Sequence, residues 1–139
     1  MTSEFCIAVH AVVYLNHKKC TVSSDALAEN ICTNPSRVRQ IMTKLKKAGM
    51  VETKEGIDGG YLFCGDASAL TLGDICRALS FHFVGSAWRS GDPDMDCLVA
   101  SGMADIMDRI YKDLESVCEK HLEDITVQDI DGLIFSKTK

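Results

Sequence analysis

Between Thr33 and Tyr61 the sequence reads TNPSRVRQIMTKLKKAGMVETKEGIDGGY, and six of these 29 residues are Lys or Arg in a chain of formal net charge −5. Placed at helical steps, residues 35–48 separate into two faces. Val38, Ile41, Met42, Leu45 and Ala48 share one. Ser36, Gln40, Thr43 and Lys47 centre the other, with Arg39 and Lys46 on one flank, Arg37 and Lys44 on the other, and no acid among them. Such a helix fits the major groove of B-DNA, where Arg pairs with guanine, Gln with adenine, and Thr meets the thymine methyl. The first turns of a groove-bound helix meet the bases. Ser36, Arg37, Arg39 and Gln40 are therefore expected to read bases, and Thr43, Lys44 and Lys47 to hold phosphates. A cationic helix face is more often only solvated surface, so the neighbouring elements decide.

Those neighbours follow from local signals. Phe5, Ala8, Val12 and Leu15 recur at helical spacing, predicting a helix over 3–17. Ser23 suits the cap of a short helix, SDALAENI. Asn34 then caps the cationic helix, Pro35 fills its first position, and Gly49 ends it. After Gly49 the period becomes that of strands: MVETK and GYLFC flank the glycine-bearing EGIDGG. Lys54 and the backbone amides of Gly59 and Gly60 are the expected DNA contacts of this hairpin, opposed by Glu55 and Asp58. Thr71 and Asp74 predict a capping box before LGDICRAL. Residues 80–96 read as an irregular loop, 97–122 as a long helix, and Thr126 caps a last one. The expected fold is mainly α with a small β-hairpin wing: a winged helix-turn-helix over 1–80, then residues 81–139 as loop, long dimerisation helix and short C-terminal helix in one compact unit.

Charge is divided along the chain. Residues 1–63 hold eight Lys/Arg against six Asp/Glu, whereas 64–139 hold seven against fourteen. An acidic whole argues against general polyanion binding and leaves a local site. No phosphate loop, nucleophile arrangement or paired-carboxylate context suggests an enzyme. His10, His17, His82 and His121 show no metal spacing with one another or with a cysteine. The eleven-residue apolar stretch FCIAVHAVVYL is too short to span a bilayer. Seven scattered cysteines without a signal sequence suggest reduced thiols in the cytoplasm.

The stretch from Thr33 to Phe63, with FCIAVHAVVYL and VSSDALAENI before it and LTLGDICRAL after it, resembles the Rrf-two family of bacterial transcription regulators. That resemblance implies a sequence-specific regulator, mostly a repressor, whose long helix pairs two subunits on a palindromic operator. It departs in two places. Family wings carry an Arg beside the first glycine, where this chain has Glu55. Iron–sulfur members place three cysteines about five residues apart before the long helix, where this chain has only Cys97. The cluster-free branch is the expected relative, with no cofactor.

Met103, Ile106, Ile110, Leu114 and Val117 fall at three–four spacing on the long helix and form the expected homodimer seam, joined by the partner's first helix. Cys6, Cys76 and Cys118 read as small buried hydrophobes. Cys32 and Cys97 sit near helix starts, where thiols gain reactivity, although Asp92, Asp94 and Asp96 should raise the Cys97 pKa. Phe81, Phe83 and Trp88, beside His82 and Arg89, either pin the loop to the core or line a pocket for a small effector. The alternatives to a DNA-binding regulator are a winged helix that binds protein and a thiol-based redox-sensing regulator.

Overall fold

Side-chain caps place most helix starts in the computed structural model, which describes residues 3–85 and 87–136. The order is α1 (Glu4–Lys18), α2 (Ser24–Ile31), α3 (Pro35–Lys47), β1 (Val51–Lys54), β2 (Gly60–Phe63), α4 (Leu72–Leu79), α5 (Leu98–Glu123) and α6 (Val127–Phe135). Ser23 accepts the Ala26 N–H at 3.1 Å and opens α2; Asn34 accepts the Ser36 N–H at 2.7 Å and opens α3. Thr71 with Asp74, and Thr126 with Asp129, each complete a reciprocal capping box. The two capping threonines also bridge to each other, which sets the start of α6 beside that of α4.

Packing groups Met1–Phe81 with Leu122–Lys139 in one compact unit and His82–His121 in a second. The first unit is a winged helix-turn-helix. Its core joins Ala8, Val12 and Leu15 of α1, Leu27 of α2, Val38, Met42 and Leu45 of α3, and Ile75 of α4, all essentially without solvent contact. Each of these Val, Leu, Ile and Met side chains contributes roughly 1.5–3 kcal/mol on burial. The antiparallel hairpin pairs Val51 with Phe63 and Lys54 with Gly60. It is tied to the chain before α2 by a bridge between Val22 and Tyr61. A side chain at Gly60 would run into the Val22 carbonyl, so this glycine serves close backbone approach.

Two expectations are corrected here. Ala48 does not join the buried face of α3: it is an exposed C-cap, because Gly49 at φ +78° turns the chain and Met50 takes the inward place. Cys6 is exposed, whereas Cys76 is buried and Cys118 half-buried. In the second unit, α5 has no fully buried side chain; Ile106, Ile110, Leu114 and Val117 are 51%, 44%, 47% and 64% exposed. No helix among the described residues is long and apolar enough to cross a membrane.

The α4 box carries a pH prediction. The Thr71 N–H, followed by Arg77, holds the Asp74 carboxyl below its ordinary pKa. A depressed folded pKa adds stability above the unfolded value near ~3.9, and loses it as pH falls through the folded value. Thr71→Ala should cost about 1 kcal/mol at neutral pH. In urea titrations, the gap between the parent and Asp74→Asn should narrow as pH drops into the acid range.

Candidate nucleic-acid interface

The cationic face of α3 turns outward. Ser36, Arg39, Gln40, Thr43, Lys44 and Lys47 are exposed, while Val38, Ile41, Met42 and Leu45 fill the core behind them. Burying four apolar side chains fixes the rotation of the helix, and with it the direction of every donor on the far side.

Those donors have neighbours drawn from distant sequence. Arg39 Nη1 donates to Ser24 Oγ at 3.3 Å and Nη2 to Ser36 Oγ at 3.2 Å, so its guanidinium is held at the junction of α2 and α3. Thr43 Oγ1 donates to the Arg39 carbonyl at 2.8 Å. Lys44 Nζ lies 2.6 Å from Glu4 at the start of α1. An exposed pair of this kind contributes at most about 1 kcal/mol, little enough that a phosphate can replace the carboxylate. Lys46 Nζ donates to Thr53 Oγ1 at 3.0 Å, joining α3 to β1.

Arg37 stands apart. It is half-buried, its Nη2 donates to Ser3 Oγ at 2.8 Å, and its Nε is buried without a hydrogen-bond partner. In this conformation it braces α3 against the start of α1. Gln40 shares a shallow pocket of about 290 Å³ with Glu4, Arg37, Ile41 and Lys44.

The hairpin adds a mixed surface. Lys54, Glu55 and Asp58 are exposed, and the Gly59 N–H is already donated to the Gly56 carbonyl at 3.0 Å. A Cβ at Gly59 would meet the Lys54 carbonyl, so the turn itself requires this glycine. The sequence reading overlooked Ile57, which is fully exposed at the tip; its position between two glycines was the available signal. It also overlooked Glu4, the acid that borders the basic face.

Of the two candidate thiols, Cys32 is the left-handed C-cap of α2, with Sγ 3.6 Å from the Glu29 carbonyl. Cys97 precedes α5, and the Ala100 and Val99 backbone N–H groups lower its pKa. The three nearby aspartates were expected to raise it; the amides at the helix start prevail. Cys64 shows the contrary case, its thiol raised by burial and by Glu52. Trp88 is 76% exposed, Phe81 stacks on Phe5 at 5.8 Å, and Arg89 pairs with Asp105 and Asp108.

Known proteins are similar to this chain in sequence and fold. The profile of the family described as Rrf2, iron-dependent transcriptional regulator, matches residues 1–131. The HTH-type transcriptional regulator IscR of Vibrio atlanticus is 27% identical over 139 residues, covering 94% of this chain and 73% of its own. YwnA of Bacillus subtilis is 24% identical, covering 97% of this chain and 99% of its own. A crystal structure of a Lactobacillus plantarum protein superposes with a TM-score of 0.83 at 22% identity, over 97% of this chain and 92% of that one.

The family is described as iron-dependent. Cys97 is the one cysteine in the loop before α5, Cys76 is buried in the core, and Cys64 Sγ donates to the Gly49 carbonyl at 3.3 Å. Among the described residues, the set of three His, Cys, Asp or Glu side chains whose ligand atoms converge within 4.8 Å contains no cysteine. Among the described residues, the thiols are not brought together as a ligand set for a thiolate-bound cluster. With its outward cationic helix, its hairpin and a profile match over nearly its whole length, the chain belongs to the Rrf2 family of DNA-binding transcriptional regulators.

Proposed function

We propose that this protein is a cytoplasmic, homodimeric, sequence-specific repressor, not an enzyme, that holds a palindromic operator with two copies of α3. The observation that carries this reading is the acid-free outward face of α3, with Arg39 fixed by Ser24 and Ser36. Ser36, Arg39 and Gln40 read bases from the first turns, with Arg37 bracing them. Thr43, Lys44 and Lys47 meet phosphates, and Lys54 and Gly60 of the wing approach the adjacent backbone. Regulation does not run through a thiolate-bound cluster.

Selection from a random duplex pool supplies the operator, and two substitutions then separate the roles. Arg39→Ala should cost about 1–3 kcal/mol on the selected duplex and relax preference at one base position. Lys47→Ala should weaken selected and random duplexes alike and reduce the salt slope by about one. Equal losses for both variants on both duplexes would refute the division.

The lowered Cys97 pKa favours a second layer, a thiol that answers oxidants. Cys97 should alkylate with iodoacetamide faster than Cys64 at neutral pH, followed by peptide mass spectrometry. Mild oxidation should weaken operator binding by the parent but not by the Cys32→Ser, Cys97→Ser double variant. An identical response in both would remove oxidant sensing through these thiols.

A further inference from the structure

In the second unit, three side chains that the DNA-binding reading does not use come together where the loop before α5 meets that helix. We infer that His82, Glu115 and Glu119 form a binding site for a divalent first-row transition-metal ion. Their candidate ligand atoms all lie within 4.8 Å of one another. Ligands at about 2.0–2.2 Å from a shared ion sit roughly 3 Å apart, so modest side-chain rotation closes the set. Glu115 and Glu119 are one helical turn apart and share a face of α5.

The arrangement is held before any ion arrives. The Phe83 N–H donates to Glu115 Oε1 at 3.1 Å and Oε2 at 3.0 Å, and the Val84 N–H donates to Oε2 at 2.8 Å. These bonds seat the loop on α5 and bring His82 Nδ1 to 3.6 Å from Glu115 Oε1. The Glu115 side chain is 13% exposed, whereas that of His82 is 71% exposed, so the carboxylate is fixed and the imidazole can turn. Second-shell donors that orient a ligand carboxylate are what built metal sites possess. The groove around them, about 430 Å³, is lined by His82, Val84, Asp108, Lys112, Glu115 and Glu119 among others. It leaves room for water ligands.

Donor chemistry sets the class of ion. One imidazole and two carboxylates suit Mn(II), Fe(II), Co(II) or Zn(II); an all-oxygen cage would suit calcium, and thiolates would suit copper(I) or a cluster. Two carboxylates balance the charge of a divalent ion. Lys112 opposes it and Asp108 is engaged by Arg89, so the three named ligands must suffice. Sequence spacing conceals the set, because His82 lies 33 residues before Glu115. A bound ion would cross-link the loop to α5 by a second attachment.

This inference does not depend on the DNA-binding reading and is tested without DNA. Mn(II) is the first probe, because it prefers oxygen and nitrogen ligands and disregards the seven thiols. Titration of the purified full-length protein should remove the free-ion EPR signal with one equivalent per chain. Co(II), added to protein with alkylated cysteines, should give d–d bands in the visible spectrum. His82→Gln and Glu119→Gln spare the bonds from Phe83 and Val84, and each should weaken Mn(II) binding by about tenfold or more. Circular dichroism would verify that both variants fold. No Mn(II) uptake by the folded parent at millimolar ion, or uptake unchanged in the double variant, would overturn the site.

Discussion

Ile110→Glu combined with Leu114→Glu should yield a monomer that binds the operator about 10²–10⁴-fold more weakly than the proposed dimer. The reason lies on α5. A helix of 26 residues, about 39 Å long, exposes Ile106, Ile110, Leu114 and Val117 at three–four spacing and buries none of its side chains fully within one chain. A monomeric protein rarely leaves so long an apolar stripe wet. Lys112, Asp113, Glu119 and Lys120 are exposed and keep other parts of the helix solvated. In the proposed dimer, twofold pairing would cover the stripe and make the second half-site contact intramolecular, which is the source of the expected factor. Two like charges placed in an apolar seam cannot be accommodated without partners. Sedimentation velocity reads the assembly state and fluorescence anisotropy reads the operator affinity. A double variant that remains dimeric would place the seam elsewhere.

Raising salt from about 50 to 200 mM should lower operator affinity by about 10³-fold or more, if the dimer neutralises six or more phosphates. Lys44, Lys47 and Lys54 of each copy would supply six cations for that number. The overall charge of −5 cannot mimic the effect, since an acidic body is repelled by DNA at low salt. A winged helix that used the same face to bind an acidic protein would lack strong discrimination between selected and random duplexes. Salt response and duplex discrimination together separate the two readings.

Features specified by neighbouring residues were legible in the sequence. Asn34 and Pro35 announce α3, and Thr71 with Asp74 announces α4, because each capping bond joins residues two or three apart. The outward face of α3 was legible for the same reason: four core residues at helical spacing leave only one direction for Gln40 and Lys47. What surrounds that face was not legible. Glu4 meets Lys44 across 40 positions, Ser3 meets Arg37 across 34, and Ser24 meets Arg39 across 15. Helical periodicity carries no information about such pairs. Cys6 shows the related limit, since a small residue beside apolar neighbours on a helix can face either way; here it borders an apolar cleft with Phe5, Val9 and Tyr14. Cys97 shows another, because three acids nearby in sequence count for less than two amides aimed at the sulfur.

The most direct test of the account replaces Gln40 by a photocrosslinking phenylalanine analogue and irradiates the protein on its selected duplex. Crosslinks from position 40 to bases within the operator half-sites, with none from the same analogue at Ser68, are the expected result. Operator binding that persists while position 40 crosslinks to nothing would contradict the role assigned to α3.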